Sequence, residues 1–148
     1  MTATYENDIV AWAKEQAYLL RSGKLSAIDI EHIAEEIEDV GKSEQRELAN
    51  RMALLLSHLL KWQYQPERQG SSWQRTIKEQ RKAIARRLKN TPSLKATVTD
   101  SEWFEDVWGD SISLAIAETG MDCFPETCPW LMVNILSEDW LPSSDNSH

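Results

Sequence analysis

Residues 30–62 read IEHIAEEIEDVGKSEQRELANRMALLLSHLLKW, and this stretch decides the fold. Within it Ile30, Ile33, Ile37, Val40, Leu48, Met52, Leu55, Leu59 and Trp62 recur at helical spacing. That period places apolar side chains on one face of an α-helix. The only gap in the stripe is Glu44, and the phase is kept across Gly41. The pattern predicts one long helix with its apolar side turned to a core. Such a helix would be about 50 Å long if straight, whereas a domain of this size is about 40 Å across. A glycine inside a helix costs about 1 kcal/mol relative to alanine. A kink or short break is therefore expected close to Gly41.

Working outward, residues 5–22 form a first predicted helix, capped by Asn7. Ile9, Trp12, Ala13, Gln16, Leu19 and Leu20 make one face of it, and Gly23 is its stop signal. Downstream, Gln65 to Ser72 contains Pro66 and Gly70 and reads as a loop. Ser72 is expected to cap a helix running to about Asn90, with Trp73, Ile77, Ile84 and Leu88 in its stripe and Arg81 among them. Thr91-Pro92 breaks it, and Ser93 can cap the next helix. Residues 93–119 read as helix, interrupted near Thr99 to Asp100 and ended by Gly120, with Phe104, Val107, Trp108, Leu114 and Ala115 on its face. Phe124-Pro125 is extended, because a residue before proline avoids the α region. Thr127 or Cys128 is expected to cap a last helix from Pro129 to about Ser137, after which Trp140 and Leu141 dock back. No segment shows strand alternation. The expected fold is all-α: an antiparallel four-helix bundle with one long central helix and short extra helices at the C-terminus. The expected organisation is a single domain over residues 1–142 and a disordered polar tail over 143–148.

Composition agrees with this. The chain has 148 residues, 41% hydrophobic and 27% charged, with five Gly and five Pro. A chain of this size can bury roughly 68–70% of its unfolded surface and needs no metal or disulfide staple. The longest apolar run, Met52 to Leu60, is interrupted by Ser57 and His58, far from the roughly 20 apolar residues of a membrane span. Met1 to Asn7 lacks the basic start and apolar core of a secretion signal. A cytoplasmic protein is expected, with Cys123 and Cys128 as free thiols. Charge is unevenly spread: six Lys/Arg against eleven Asp/Glu in residues 1–60, nine against two in 61–89, and one against eleven in 90–148. Such blocks can neutralise one another internally. The sharper reading is a basic face for an acidic partner, with nucleic acid disfavoured by the net charge of −8.

A family resemblance rests on motifs in order along residues 5–142. They are Glu35-Glu36-Ile37-Glu38 followed by Gly41 and Ser43-Glu44, then His58-Leu59-Leu60-Lys61-Trp62-Gln63, then Ser72-Trp73 with Glu79-Gln80-Arg81. Pro92-Ser93-Leu94-Lys95, Glu118-Thr119-Gly120 and Phe124-Pro125 with Cys128-Pro129 close the series. The chain resembles the bacterial family catalogued as domain of unknown function twenty-nine. Trp130 departs from the tyrosine common there after the Cys-Pro pair. The resemblance implies an all-helical fold and leaves the activity open.

Three constellations are candidates for function. Loop Gln65 to Gly70 makes consecutive helices antiparallel, so His58, Lys61, Trp62, Trp73, Arg75 and Glu118 converge at one end of the bundle. They make either a binding cluster or a polar network closing the bundle. Arg81 lies inside an apolar stripe, so a carboxylate from another helix is expected beside it. Glu35, Glu38 and Asp39 share helix faces and, with Glu105 and Asp106, could hold a divalent metal for phosphate hydrolysis. Against this, Ile30, Ile33, Ile37 and Val40 define the expected buried side, and Glu35 and Asp39 point away from it. Zinc on Cys123, Cys128, His32 and His58 is a weaker alternative still. No catalytic constellation is complete. The expected function is a non-enzymatic helical module, without a cofactor, that binds a protein partner or a second copy of itself. The alternative is a metal-dependent phosphate hydrolase.

Overall fold

The computed structural model describes residues 4–143, and the tail expected over 143–148 lies outside them from residue 144 onward. The protein is all-α, with no strand among the described residues. The helices are α1 (Ile9–Arg21), α2 (Ile30–Tyr64), α3 (Ser71–Asn90), α4 (Leu94–Val98), α5 (Ser101–Thr119) and α6 (Met132–Ile135). The chain divides into two compact units, one up to Glu44 and one from Gln45 onward. Helix α2 is unbroken from Ile30 to Tyr64. The break expected near Gly41 does not occur, because the roughly 1 kcal/mol a glycine costs is small beside the hydrogen-bonded turns on either side.

In the N-terminal unit, the side chain of Asp8, not Asn7, caps α1 by accepting the Ala11 N–H at 3.1 Å. Gly23 adopts φ 72°, the left-handed conformation of a helix stop. Trp12 and Gln16 are the buried residues of α1. The indole N–H of Trp12 bonds Asp29 at 3.0 Å, and Gln16 accepts the Asp29 N–H at 2.7 Å, which fixes the start of α2. The expected buried side of this half of α2 needs correction. Ile30, Ile37 and Val40 are exposed, and only Ile33 of that stripe is half-buried. The side turned inward carries Asp29, His32 and Glu36, which meet Tyr5, Glu6 and Trp12. The N-terminal segment is held to this stretch by hydrogen bonds on its polar side, not by burial of the isoleucines.

In the C-terminal unit, α2 is buried nearly all round from Leu55 to Lys61, polar Ser57, His58 and Lys61 included, and Leu55, Leu56, Leu59 and Leu60 are fully enclosed. Helix α3 runs antiparallel to it: Lys61 lies against Trp73, Arg51 bonds Gln80, and Glu47 pairs with Arg87. The short α4 and the longer α5 return alongside α2, since Gln45 bonds Thr97 and Lys61 bonds Glu118. The interruption expected near Thr99 to Asp100 is present, and Asp100 caps α5 through the N–H groups of Glu102 and Trp103. Gly120 ends α5 with φ 72°. Helix α3 starts at Ser71 with Gly70 before it, so Ser72 is not a cap, and Ser93 makes no capping bond. The final helix is shorter than the expected 129–137. Trp130 stacks edge-on between Trp108 and Trp140 and donates to Gln63, and this holds the preceding residues out of helix. Trp140 and Leu141 dock on the core as expected. Trp12 and Trp108 are buried, whereas Trp62, Trp73 and Trp103 are half-buried.

Candidate functional site

The bundle-end residues assemble largely as the antiparallel geometry requires. Lys61 is buried and forms an ion pair with Glu118, which is half-exposed. The Lys61 ammonium also lies over the Trp73 ring, 5.3 Å from its centroid. His58 is buried beside them and donates from Nδ1 to the Leu54 carbonyl at 3.0 Å. Burial and the neighbouring Lys61 push its pKa down, opposed by the Leu54 bond and Glu118, so the ring is neutral at pH 7. Trp62 packs on the core, and Gln69 donates to its carbonyl. Arg75 does not join: it is exposed and has no hydrogen bond or ion pair with a described residue. With the lysine, histidine and glutamate engaged by one another or by backbone, the cluster closes the end of the helices and leaves few free polar groups for a ligand.

Arg81 is buried, as its place in the stripe requires, but its partners differ from expectation. Its guanidinium donates to the carbonyls of Ile135 at 2.8 Å and Trp140 at 2.7 Å, with longer contacts to Glu138 at 3.4 Å and Asn134 at 3.5 Å. It forms no ion pair with a described carboxylate. Carbonyls at the end of a helix and beyond it lack intrahelical donors, and the fork of N–H groups supplies those of Ile135 and Trp140. Burial pulls the Arg81 pKa down and Asp139 opposes this. Arg81 thereby pins residues 134–140 onto α3. Between them opens a groove of about 790 Å³. Lys78, Lys82 and Arg86 of α3 line one wall, Glu138 and Asp139 line the other, and Leu136 and Leu141 contribute apolar surface. Lys78, Lys82 and Arg86 are exposed and pair with no described carboxylate.

A third cluster lies wholly in the N-terminal unit, and of its members only His32 is among the sequence-based candidates, as a zinc ligand. His32 bonds Asp29 at 2.7 Å and Glu6 at 3.2 Å, and its ring stacks on Tyr5 at 4.2 Å. The Asp29 bond holds the His32 pKa up, and the same bond holds Asp29 down. The Tyr5 hydroxyl donates to Glu36 at 2.5 Å, which pushes its pKa up to about 12. The signal was Asp29 and His32 at i,i+3 on the first turn of a helix; the partners Tyr5 and Glu6 come from a segment with no periodic pattern.

Glu35, Glu38, Asp39, Glu105 and Asp106 are all exposed. Among the described residues, no group of three or more His, Cys, Asp or Glu side chains is placed to hold a metal ion. The carboxylates of the hydrolase alternative are therefore not gathered, because each projects from the outer face of its helix. Cys123 and Cys128 are free, and burial pushes the Cys128 thiol up, which keeps it protonated. No helix among the described residues is long and apolar enough to cross a membrane.

The family described as Domain of unknown function DUF29 matches residues 4–141, and the chain belongs to it. No curated protein and no solved structure matches the chain.

Proposed function

We propose that this DUF29 chain is a non-enzymatic binding module of the bacterial cytoplasm that grips an acidic segment of a protein partner along the groove of α3. The observation that carries the reading is the uncovered row Lys78, Lys82 and Arg86. These cations recur every four residues on one exposed helix face, line a groove with apolar surface in it, and pair with no described carboxylate. A positive row of this kind selects a partner carrying Asp and Glu at matching spacing, with an apolar side chain to meet Leu136 and Leu141. Each exposed pair is worth about 0.2–1 kcal/mol, so the row supplies specificity and encounter rate more than raw affinity. The cytoplasmic assignment is supported by two cysteines that stay unpaired in a chain with no disulfide.

The test is co-purification from the native cell, comparing the wild type with a Lys78→Glu, Lys82→Glu, Arg86→Glu variant by mass spectrometry. A protein with an acidic segment is expected with the wild type, eluted by salt and lost with the variant. An identical set of proteins for both refutes the reading. Mg²⁺- or Mn²⁺-dependent nucleotide hydrolysis that disappears in a Glu35→Gln variant refutes it in favour of the hydrolase.

A further inference from the structure

The N-terminal unit carries a second surface of opposite character. Ile30, Ile37 and Val40 of α2 expose 69%, 67% and 67% of their surface. With Ile33 they lie within an arc of about 80° on the helix. Ala34 and Gly41, both exposed, run along one edge of that arc, and the exposed Glu31 and Glu38 lie just beyond them. Residues 29–44 hold seven Asp/Glu against the single Lys42.

Gly41 is the informative residue. Its φ is not in the left-handed region, and a Cβ built there would meet nothing within 4 Å. Neither backbone geometry nor this chain's own packing requires a glycine, yet glycine weakens the helix around it. A glycine on an exposed helix face lets the backbone of another element approach closely. Here it sits in line with the exposed isoleucines and beside the acidic edge.

We infer that this face docks a basic amphipathic helix of a partner protein. The partner's apolar ridge packs on Ile30, Ile33, Ile37 and Val40, its backbone passes over Ala34 and Gly41, and its Lys or Arg side chains meet Glu31 and Glu38. Charge complementarity selects this occupant. Pairing the face with a second copy of itself would bring acidic edges together. The chain's own basic helix, α3, cannot serve, because its apolar residues Ile77 and Ile84 are buried and it offers cations without an apolar ridge. The inference is independent of the α3 groove, which lies in the other unit and attracts the opposite charge.

The experiment uses the full chain and a dye-labelled helical peptide of about twenty residues, with Leu at i, i+3, i+4 and i+7 and Lys or Arg on the flanks, followed by fluorescence anisotropy. A control peptide replaces every Leu by Ser and keeps the charges. The leucine peptide is expected to bind and the serine peptide to bind at least about tenfold more weakly. Ile37→Ser and Gly41→Leu, which leave the net charge unchanged, should each weaken binding by about tenfold or more. Gly41→Ala should raise the melting temperature and still weaken binding, which separates docking from folding. Equal binding of both peptides, or wild-type binding by both Ile37→Ser and Gly41→Leu, overturns the proposal, because attraction is then general charge. Light scattering that shows a dimer of the wild type and a monomer of Ile37→Ser overturns it in favour of a second copy.

Discussion

Replacing Arg81 by methionine removes the guanidinium while keeping most of the side chain's volume. Two of its contacts are short, to Ile135 O at 2.8 Å and Trp140 O at 2.7 Å, and two are long, at 3.4 and 3.5 Å. A hydrogen bond from a charged donor contributes about 1.5–3 kcal/mol, so the two short ones set a loss of about 3–6 kcal/mol, and relief of the buried charge draws it to the lower end. The long pair adds little, and the carbonyl of the buried Ile135 is left without this donor, which works against any recovery. Arg81→Lys keeps the charge but not the planar fork, so it should recover only part of the loss. Arg81→Glu turns a carboxylate toward the same carbonyls and should be the worst of the three. The assay is urea unfolding, with tryptophan fluorescence as a second probe because Trp130 and Trp140 lie in the pinned region. Arg81→Met unfolding within about 0.5 kcal/mol of the wild type, with the same denaturant slope, would refute the argument that Arg81 anchors residues 134–140.

Glu118→Ala leaves the buried Lys61 with the Trp73 ring alone; because Glu118 is half-exposed, the loss should be about 1–2 kcal/mol, below that of a fully buried pair, and a neutral result in thermal melts would contradict the ion pair. Burial holds His58 below its ordinary 6.5, so its contribution to stability is present above that value and is lost as pH falls below it. His32, held above 6.5 by Asp29, behaves oppositely: its contribution is present below 6.5 and is lost as pH rises through its raised value. Proton NMR titration should therefore show His32 titrating at higher pH than His58, and the reverse order would be wrong for both environments. Gly120→Ala forces a side chain into the left-handed region at φ 72° and should cost about 1 kcal/mol, whereas Gly41→Ala should gain about as much; like signs in calorimetry would contradict both assignments.

The helices were legible because periodicity and stop signals act locally. Leu48 through Trp62 lie where their spacing puts them, and Gly23 and Gly120 end helices in the conformation only glycine adopts freely. Periodicity says which side chains share a face, but it does not say what covers that face. Ile30, Ile37 and Val40 continue the core stripe in sequence and yet stay exposed, because the N-terminal segment bonds to the neighbouring side of the helix, at Asp29, His32 and Glu36, and no described residue covers the isoleucine side. Arg81 was readable as buried and in need of partners. Their identity was not, because the carbonyls of residues 134–140 reach it only through docking of an irregular segment. The same segment hid the second wall of the groove. A basic face was legible in the nine Lys/Arg of residues 61–89, and only the structure shows Lys78, Lys82 and Arg86 uncovered and opposed by Leu136, Glu138, Asp139 and Leu141.

The central claim, that the cations of α3 hold an acidic segment of another protein, is tested most directly by placing a photo-reactive amino acid at the position of Lys82 in living cells. Cross-linked peptides would then be sequenced after irradiation. The account predicts one principal cross-linked protein, joined through a stretch rich in Asp and Glu, and its loss when Lys78 and Arg86 are also changed to Glu. Cross-links confined to this chain's own residues, or an unchanged cross-link in that variant, would contradict it.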